Sequence, residues 1–181
     1  MANLKQQKIF YLSLIIVLLV TLGFTSYYLL GGFKPREVVK VGPQKRNIVG
    51  KSFKGFYKHP DLEQIWIENR ELLESGDVPG TFAVITYQNS SLDNDEVQQF
   101  IGIAIDGGMA EIPVGFEVKE LKMEQRLMIP LLMHPLVRPS PRTIEGLFND
   151  FAQKEGHELG DFTLELHFED NSMIVEIPII D

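Results

Sequence analysis

Two acidic residues interrupt apolar, strand-like segments near the end of the chain. Glu176 lies in MIVEIPI, and Glu165 lies in FTLELHF, two residues before His167. Burying a carboxylate without a partner is costly, so Glu176 is expected either to meet a cation or hydrogen-bond donors or to lie on a solvated sheet face. We favour the solvated face for Glu176, together with Glu165 and His167, because antiparallel sheets commonly expose one side to water.

Motifs of the familiar catalytic and metal-binding classes are missing. The chain contains no P-loop, no GxSxG, no HExxH and no dinucleotide-binding fingerprint. It has no cysteine, and its histidines are scattered singly, at His59, His134, His157 and His167. We therefore predict a protein that is not an enzyme and that holds neither a metal ion nor a cofactor.

One segment near the N terminus is predicted to span a membrane. Residues 9–30 contain no charge over 22 positions, which is long enough to cross a hydrocarbon core, and Tyr11 and Tyr28 lie near its ends. A cleaved signal peptide is the alternative. Its apolar stretch would be shorter and would end in a small-x-small site, whereas Phe24 or Leu30 occupies the position that should be small.

Basic residues are concentrated directly after this segment. Residues 34–58 carry eight Lys or Arg against one acid, whereas residues 59–181 carry seven basic against 24 acidic residues, a net charge of −17. Because basic residues beside a span favour the cytoplasmic side, we predict a single-pass membrane protein with a cytoplasmic soluble domain. The basic segment favours anionic lipid headgroups as a partner, and the acidic residues after it are expected to be repelled from them. The alternative is that the acidic residues simply form a solvated surface. Nucleic acid is disfavoured as a partner.

The remaining chain is predicted to form one α+β domain. We divide the protein into a tail over 1–8, the span over 9–30, a linker over 31–36 and the domain over 37–181. The predicted elements are a bent strand over 37–56, a helix with Asp61 as N-cap that ends at Gly76, strands over 81–87 and 98–105, a bent strand over 115–133, a helix with Ser140 as N-cap that ends at Gly156, and strands over 162–168 and 173–180. In the strand over 162–168 the apolar residues Phe162, Leu164, Leu166 and Phe168 alternate with polar ones and are predicted to share one face.

The element order occurs twice. Each half reads strand, helix, strand, strand, and the glycines that end the two helices, Gly76 and Gly156, lie 80 residues apart. The residues between the halves, Asp106 to Gly108, are expected to break the order. A duplicated module, over about 37–106 and 115–181, explains this pattern.

In this order the sequence resembles the GyrI-like, or effector-binding, family. The segments that carry the resemblance are VPGTFAVITYQNS, FIGIAID, GFEV followed by MIPLLMHP, and the terminal EIPI. The resemblance implies two strand-helix-strand-strand modules related by a pseudo-two-fold axis. Members with a similar layout are membrane-anchored and include an animal endoplasmic-reticulum autophagy receptor, whose partner-binding motif follows the domain. This chain ends at Asp181, so we do not expect that receptor function.

The resemblance also implies a ligand site. Family members bind small, often cationic or aromatic molecules between the two modules, with aromatic residues and a carboxylate at the base. The corresponding candidates here are Tyr57, Trp66 and Tyr87 for stacking, and Glu165 and Glu176 as carboxylates. Trp66 also lies on the apolar stripe of its helix, so a core position is the alternative.

Three functions follow from the resemblance. We expect a membrane-tethered, non-catalytic domain that binds a small molecule or a protein partner in the cleft. The first alternative is a hydrolase that uses Glu165 or Glu176 as general acid or base. The second is a protein-interaction adaptor whose cleft is filled by its own leucine and methionine side chains.

The topology is testable through the sequon Asn89-Ser90-Ser91. In a glycosylating expression system we expect the protein to resist alkaline extraction from membranes and Asn89 to remain unmodified, because the loop stays cytoplasmic. Membrane fractionation and endoglycosidase digestion measure both properties. A glycosylated Asn89 would place the domain on the opposite side, and release into the soluble fraction would favour a cleaved signal peptide.

Overall fold

The protein divides into two compact units. The computed structural model describes residues 2–89, 91–93, 95–105 and 111–180. One unit comprises the chain up to Pro35 together with Leu132–Arg138, and the other comprises Arg36–Leu131 with the chain from Pro139 onward. The predicted break at Asp106 to Gly108 lies outside the described residues.

The first unit is dominated by helix α1, Ala2–Leu29. Its segment Gln6–Leu29 is long and apolar enough to cross a membrane, and none of its most apolar stretch is buried; a signal sequence would satisfy the same criterion. The helix is followed by Gly31 in a left-handed conformation, with φ of 82°. The Leu30 carbonyl accepts a hydrogen bond from the His134 amide at 3.0 Å.

The second unit is built on one antiparallel sheet of eight strands. These are β1 (Val39–Val41), β2 (Gln44–Phe56), β3 (Thr81–Tyr87), β4 (Glu96–Ile105), β5 (Glu117–Met123), β6 (Gln125–Leu131), β7 (Phe162–His167) and β8 (Met173–Ile179). Their order across the sheet is β1-β6-β8-β7-β3-β4-β2-β5. The α+β class and the predicted strand positions are therefore confirmed.

Both long strands are bent, as the sequence predicts. Gly42 and Pro43 separate β1 from β2, and the single residue Glu124 separates β5 from β6. Pro43 interrupts pairing because it has no amide hydrogen to donate. The two long strands pair with each other on both sides of these bends, β1 with β6 and β2 with β5. The bends let one continuous sheet change direction without losing its pairing.

Helix α2, Pro60–Ser75, begins two residues earlier than predicted. The N-cap is His59, whose Nδ1 accepts the Asp61 amide at 3.2 Å, so the prediction of Asp61 as N-cap is wrong. Proline at the first helical position favours this start because its fixed φ suits a helix and its missing amide needs no partner. Gly76 ends the helix with φ of 78°, as expected.

Helix α3, Pro141–Glu155, agrees with the sequence at both ends. Ser140 is the N-cap, its Oγ accepting the Thr143 amide, and Gly156 ends the helix with φ of 75°. A 3-10 turn, Pro135–Val137, precedes it and has its own N-cap. The buried face of α3 consists of Ile144, Phe148 and Ala152.

The pairing register defines two faces of the sheet. The outer face carries Phe82, Val84 and Ile101, against which α2 packs with Leu62, Ile65, Trp66 and Leu73. We call the opposite side the inner face; its buried apolar residues are Ile48, Ala83, Ile85, Phe100, Ala104, Leu121, Met123, Leu164 and Leu166. Because cross-strand partners share a face, every strand residue can be assigned to one of the two.

Two glycines test the packing in opposite directions. A Cβ on Gly102, whose cross-strand partner is Gly50, would lie 2.3 Å from the Val49 carbonyl oxygen, whereas a Cβ on Gly146 in α3 meets nothing within 4 Å. We expect Gly102→Ala to lower the free energy of unfolding by about 2 kcal/mol because the backbone must shift. Gly146→Ala should raise it by about 1 kcal/mol, since alanine favours helix. Denaturant titration measures both, and an unchanged Gly102→Ala variant would contradict the close approach.

Candidate binding site

Glu176 lies on the inner face and is 1% exposed. Its Oε1 atom accepts a hydrogen bond from Arg46 Nη2 at 3.3 Å and lies 3.2 Å from Arg126 Nε. Arg126 also donates from Nη1 to the carbonyl of Gly42, in the bend between β1 and β2. The carboxylate is therefore held by two guanidinium groups at the point where the long strands change direction.

This contact spans the curled sheet. Arg46 is on β2 and Glu176 is on β8, and three strands lie between them in the sheet order. Side chains so far apart along a flat sheet cannot touch, because neighbouring strands are about 4.8 Å apart. The inner face must therefore be concave, with β2 facing β8 across it.

The favoured solvated position of Glu176 is wrong. Glu176 is paired with Leu164 in the β7–β8 register, whereas Glu165 is paired with Val175 and Val84. Glu165 and His167 consequently lie on the outer face and Glu176 on the inner one. The other possibility stated above, a carboxylate that meets cationic donors, is the one realised, and the cations come from the protein itself.

A second polar contact crosses the inner face between β5 and β3. Lys119 Nζ donates to the hydroxyl oxygen of Tyr87 at 2.7 Å, and the same ammonium lies 4.6 Å from the ring centroid of Phe100. The Tyr87 ring is 6.3 Å from that of Phe162. Tyr87 thus lies on the inner face, as a partner of a lysine and next to another aromatic ring.

Tyr57 and Trp66 lie on the other side of the molecule. They line a surface pocket of about 350 Å³ together with four further residues, Lys58, His59, Leu62 and Glu63. Tyr57 is 49% exposed and Trp66 is half-buried. This volume is at the lower end of the range typical of small-molecule sites. The lining carries one carboxylate, Glu63, and one ammonium, Lys58, whose Nζ atom lies 5.2 Å from the centroid of the Tyr57 ring. An aromatic cation can stack on the two rings if it displaces this ammonium.

Trp66 joins this pocket to the outer-face residues. Its ring centroid lies 4.9 Å from that of Phe82 and 6.1 Å, edge-on, from that of His167. His167 Nε2 in turn lies 3.2 Å from Glu165 Oε2, and both side chains are about a quarter exposed, at 22% and 27%. Trp66 therefore packs against the outer face and also lines the pocket, so its predicted role in stacking and the alternative of a core position are compatible.

The structure separates the predicted site residues into two groups. Tyr57 and Trp66 line the outer pocket. Glu165 lies on the outer face next to His167. Tyr87 and Glu176 lie on the inner face. The sequence analysis did not identify Arg46, Arg126 and Lys119, three cations that make polar contacts on the inner face. Strand alternation could have located Lys119. In β5 every second residue lies on the same face, so Lys119 shares a face with the buried residues Leu121 and Met123.

Comparison with solved structures establishes the fold. SAV2435 bound to tetraphenylphosphonium has a TM-score of 0.51 at 10% identity, covering 81% of this chain and 94% of that one. The C-terminal domain of EcmrR has a TM-score of 0.52 at 12% identity, covering 81% and 98%. A hydrolase from Listeria innocua has a TM-score of 0.52 at 9% identity, covering 82% and 95%. No sequence-family profile and no curated protein matches the chain.

These similarities support the predicted GyrI-like fold and nothing finer. The neighbours include a protein bound to an aromatic cation and a protein described as a hydrolase, so fold alone leaves both functions open. Membership of a membrane-anchored subgroup stays a prediction.

The buried ion cluster is testable through Arg126. Replacing Arg126 by Met keeps the length of the side chain but leaves Glu176 with one guanidinium and the Gly42 carbonyl without its donor. We expect the free energy of unfolding to fall by about 3 kcal/mol, because a buried carboxylate loses a charged partner. Lys154→Met, at a side chain that is 81% exposed, is the control and should change stability by less than about 0.5 kcal/mol. Equal stability of the two variants would contradict the role of the cluster.

Proposed function

We propose that this protein is a membrane-tethered, non-catalytic binding domain that takes a small aromatic, cationic ligand in the pocket of Tyr57 and Trp66. The observation that carries the proposal is the convergence of these two rings, nine residues apart in sequence, on one cavity with the Glu63 carboxylate. Aromatic faces attract cations, as Lys58 shows by lying 5.2 Å from the Tyr57 ring centroid, and a ligand cation that displaces this ammonium would meet the Glu63 carboxylate.

The tether rests on α1. The segment Gln6–Leu29 matches the length and apolarity of a spanning helix and exposes apolar side chains on all sides, as lipid contact requires. The basic residues that follow it favour a cytoplasmic domain. The tether would hold the pocket at a membrane surface.

We further propose that the two halves of the domain are duplicated modules in a pseudo-two-fold arrangement. Both halves have the same order of strands and helix. Arg46 and Arg126, which share one carboxylate, lie 80 residues apart, the same spacing as Gly76 and Gly156.

One observation each favours two other functions. A hydrolase is favoured by the Glu165–His167 pair beside Trp66, since a histidine oriented by a carboxylate is a common general base. An adaptor is favoured by the inner face, where Phe100, Ile85 and Leu164 are fully buried and fill the space that a ligand would need.

The pocket is testable because Trp66 is the only tryptophan. Titrating the full chain in nanodiscs with tetraphenylphosphonium should change its tryptophan fluorescence in a saturable way. Tyr57→Ala should weaken the binding by about tenfold, since a stacked ring and its cation–π contact contribute about 1 to 2 kcal/mol.

Phe56→Ala is the matched control, because Phe56 is an adjacent, 57% exposed aromatic residue outside the pocket lining. It should leave the affinity unchanged. Absence of a fluorescence change, or equal losses in both variants, would reject the pocket as the ligand site. Hydrolysis of an aryl ester that disappears in His167→Ala would favour the hydrolase instead.

A further inference from the structure

Two exposed leucines lie in the first unit, in the segment Leu132–Arg138, which we call the leucine turn. Leu132 is 55% exposed, and Leu136, in the 3-10 turn Pro135–Val137, is 81% exposed. Single exposed apolar residues need no explanation, so their position in the molecule decides what they do. We propose that both leucines insert into the lipid interface as a second membrane contact beside α1. The inference rests on the proposed tether, since it takes α1 as a spanning helix.

The leucine turn is fixed at the level of the end of α1. The carbonyl of Leu30, the last residue of the charge-free segment, accepts the His134 amide at 3.0 Å. Met133 is 3% exposed, and its Cβ lies 3.3 Å from the position of a Cβ on Gly31. Because consecutive Cα atoms are 3.8 Å apart, the Cα atoms of the two leucines lie within about 7.6 Å of that of His134. The polar layer of a bilayer is about 5 to 7 Å thick on each side, so both side chains can reach the acyl chains.

The backbone of the leucine turn is suited to a poorly hydrated layer. The Val137 amide donates to the His134 carbonyl at 3.0 Å, and the Leu136 amide donates to Nδ1 of His134 at 3.3 Å. The Arg138 amide donates to the Pro135 carbonyl at 3.3 Å. Pro135 has no amide hydrogen, so every amide from His134 to Arg138 is satisfied within this unit. Unsatisfied amides are costly in lipid, and this turn exposes none over these residues.

Phe33 extends the apolar surface next to the span. The chain reverses at Gly31, and the Phe33 ring centroid lies 5.3 Å from that of Phe24 and 4.9 Å, edge-on, from that of Tyr27. Phe24 lies about 9 Å before Leu30 along the helix axis, at 1.5 Å per residue. Phe33 is 56% exposed, so its ring returns toward the span and stays open to the surroundings. Aromatic rings are favoured at membrane interfaces.

Charge favours a lipid surface as the partner. The first unit contains no Asp or Glu, and no acidic residue occurs between Glu124 and Glu145. The whole chain carries 25 acidic residues, so these segments depart from its overall balance. Anionic headgroups repel carboxylates and attract basic side chains such as Lys34 and Arg138. The acid-free composition, the exposed leucines and the direct contact with the span therefore agree on one partner, the lipid bilayer.

Depth measurements on single spin labels test the inference, because the chain has no native cysteine. Leu132→Cys and Leu136→Cys, each carrying a nitroxide, are prepared as full chains in nanodiscs of phosphatidylcholine and phosphatidylserine. Oxygen is apolar and concentrates in lipid, whereas a nickel chelate stays in water, so the ratio of their collision rates with the label reports its depth. Both labels should give a ratio severalfold above that of a water-exposed control.

Val114→Cys is the matched control. Val114 is likewise an exposed apolar residue, at 100%, but Glu111 and Glu117 flank it. Its label should be open to the nickel chelate, because anionic headgroups repel acidic segments. Equal ratios at Val114 and Leu136 would overturn the insertion. Low accessibility of the Leu136 label to both reagents would also overturn it, since a second copy or another protein would then cover the turn.

An added charge tests whether the native leucine drives the insertion. Combining Leu132→Asp with the label at Leu136 should lower the depth ratio severalfold, because a carboxylate is repelled from the headgroups. Leu132→Met keeps the apolar character and should leave the ratio unchanged. An unchanged ratio in the Leu132→Asp variant would contradict the role of Leu132.

Leu18→Cys separates this inference from the tether. Leu18 lies near the middle of the segment Gln6–Leu29 and is 67% exposed. A deep label at Leu18 together with a water-accessible label at Leu136 would overturn the insertion and leave the tether intact. A water-accessible label at Leu18 would overturn both.

Discussion

The contact of Glu176 with Arg46 and Arg126 is the constraint around which the second unit is organised. It joins β2, β6 and β8, and through the Gly42 carbonyl it also holds the bend between β1 and β2. A buried carboxylate with no partner is costly, and the curl of the sheet brings the two arginines to it. The curvature of the sheet and the pairing of Glu176 with the two arginines therefore depend on each other.

The curvature gives the sheet two faces that differ in packing and in charge. The outer face is covered by α2 and leaves a pocket beside its N-terminal end, where Tyr57 and Trp66 converge. The inner face is packed with apolar side chains and crossed by the Lys119–Tyr87 hydrogen bond. Charge follows the same division: salt bridges such as Lys45–Glu120 are well exposed outside, whereas the cations inside face aromatic rings or one shared carboxylate.

The buried carboxylate bears on whether the ligand preference of a structural neighbour can be expected for this protein. A domain whose central carboxylate is open attracts cations, but here two arginines occupy that carboxylate. The site that we propose for an aromatic cation lies instead on the outer surface, where Glu63 and Lys58 accompany the aromatic rings. Because these similar folds share only 9 to 12% identity with the chain, the ligand preference of a neighbour does not follow from the fold.

The sequence by itself determined the elements, because their signals are local. Alternation predicted β7 with Leu164 and Leu166 on one side, and Ser140 and Gly156 marked the ends of α3. The N-cap of α2 was missed because Asp61 and His59 both offer a suitable acceptor near Pro60. Which strands face each other depends on the curl of the sheet, a non-local property. Only the tertiary structure could therefore bring Arg46 to Glu176, 130 residues away, and leave Tyr57 and Tyr87 on different surfaces.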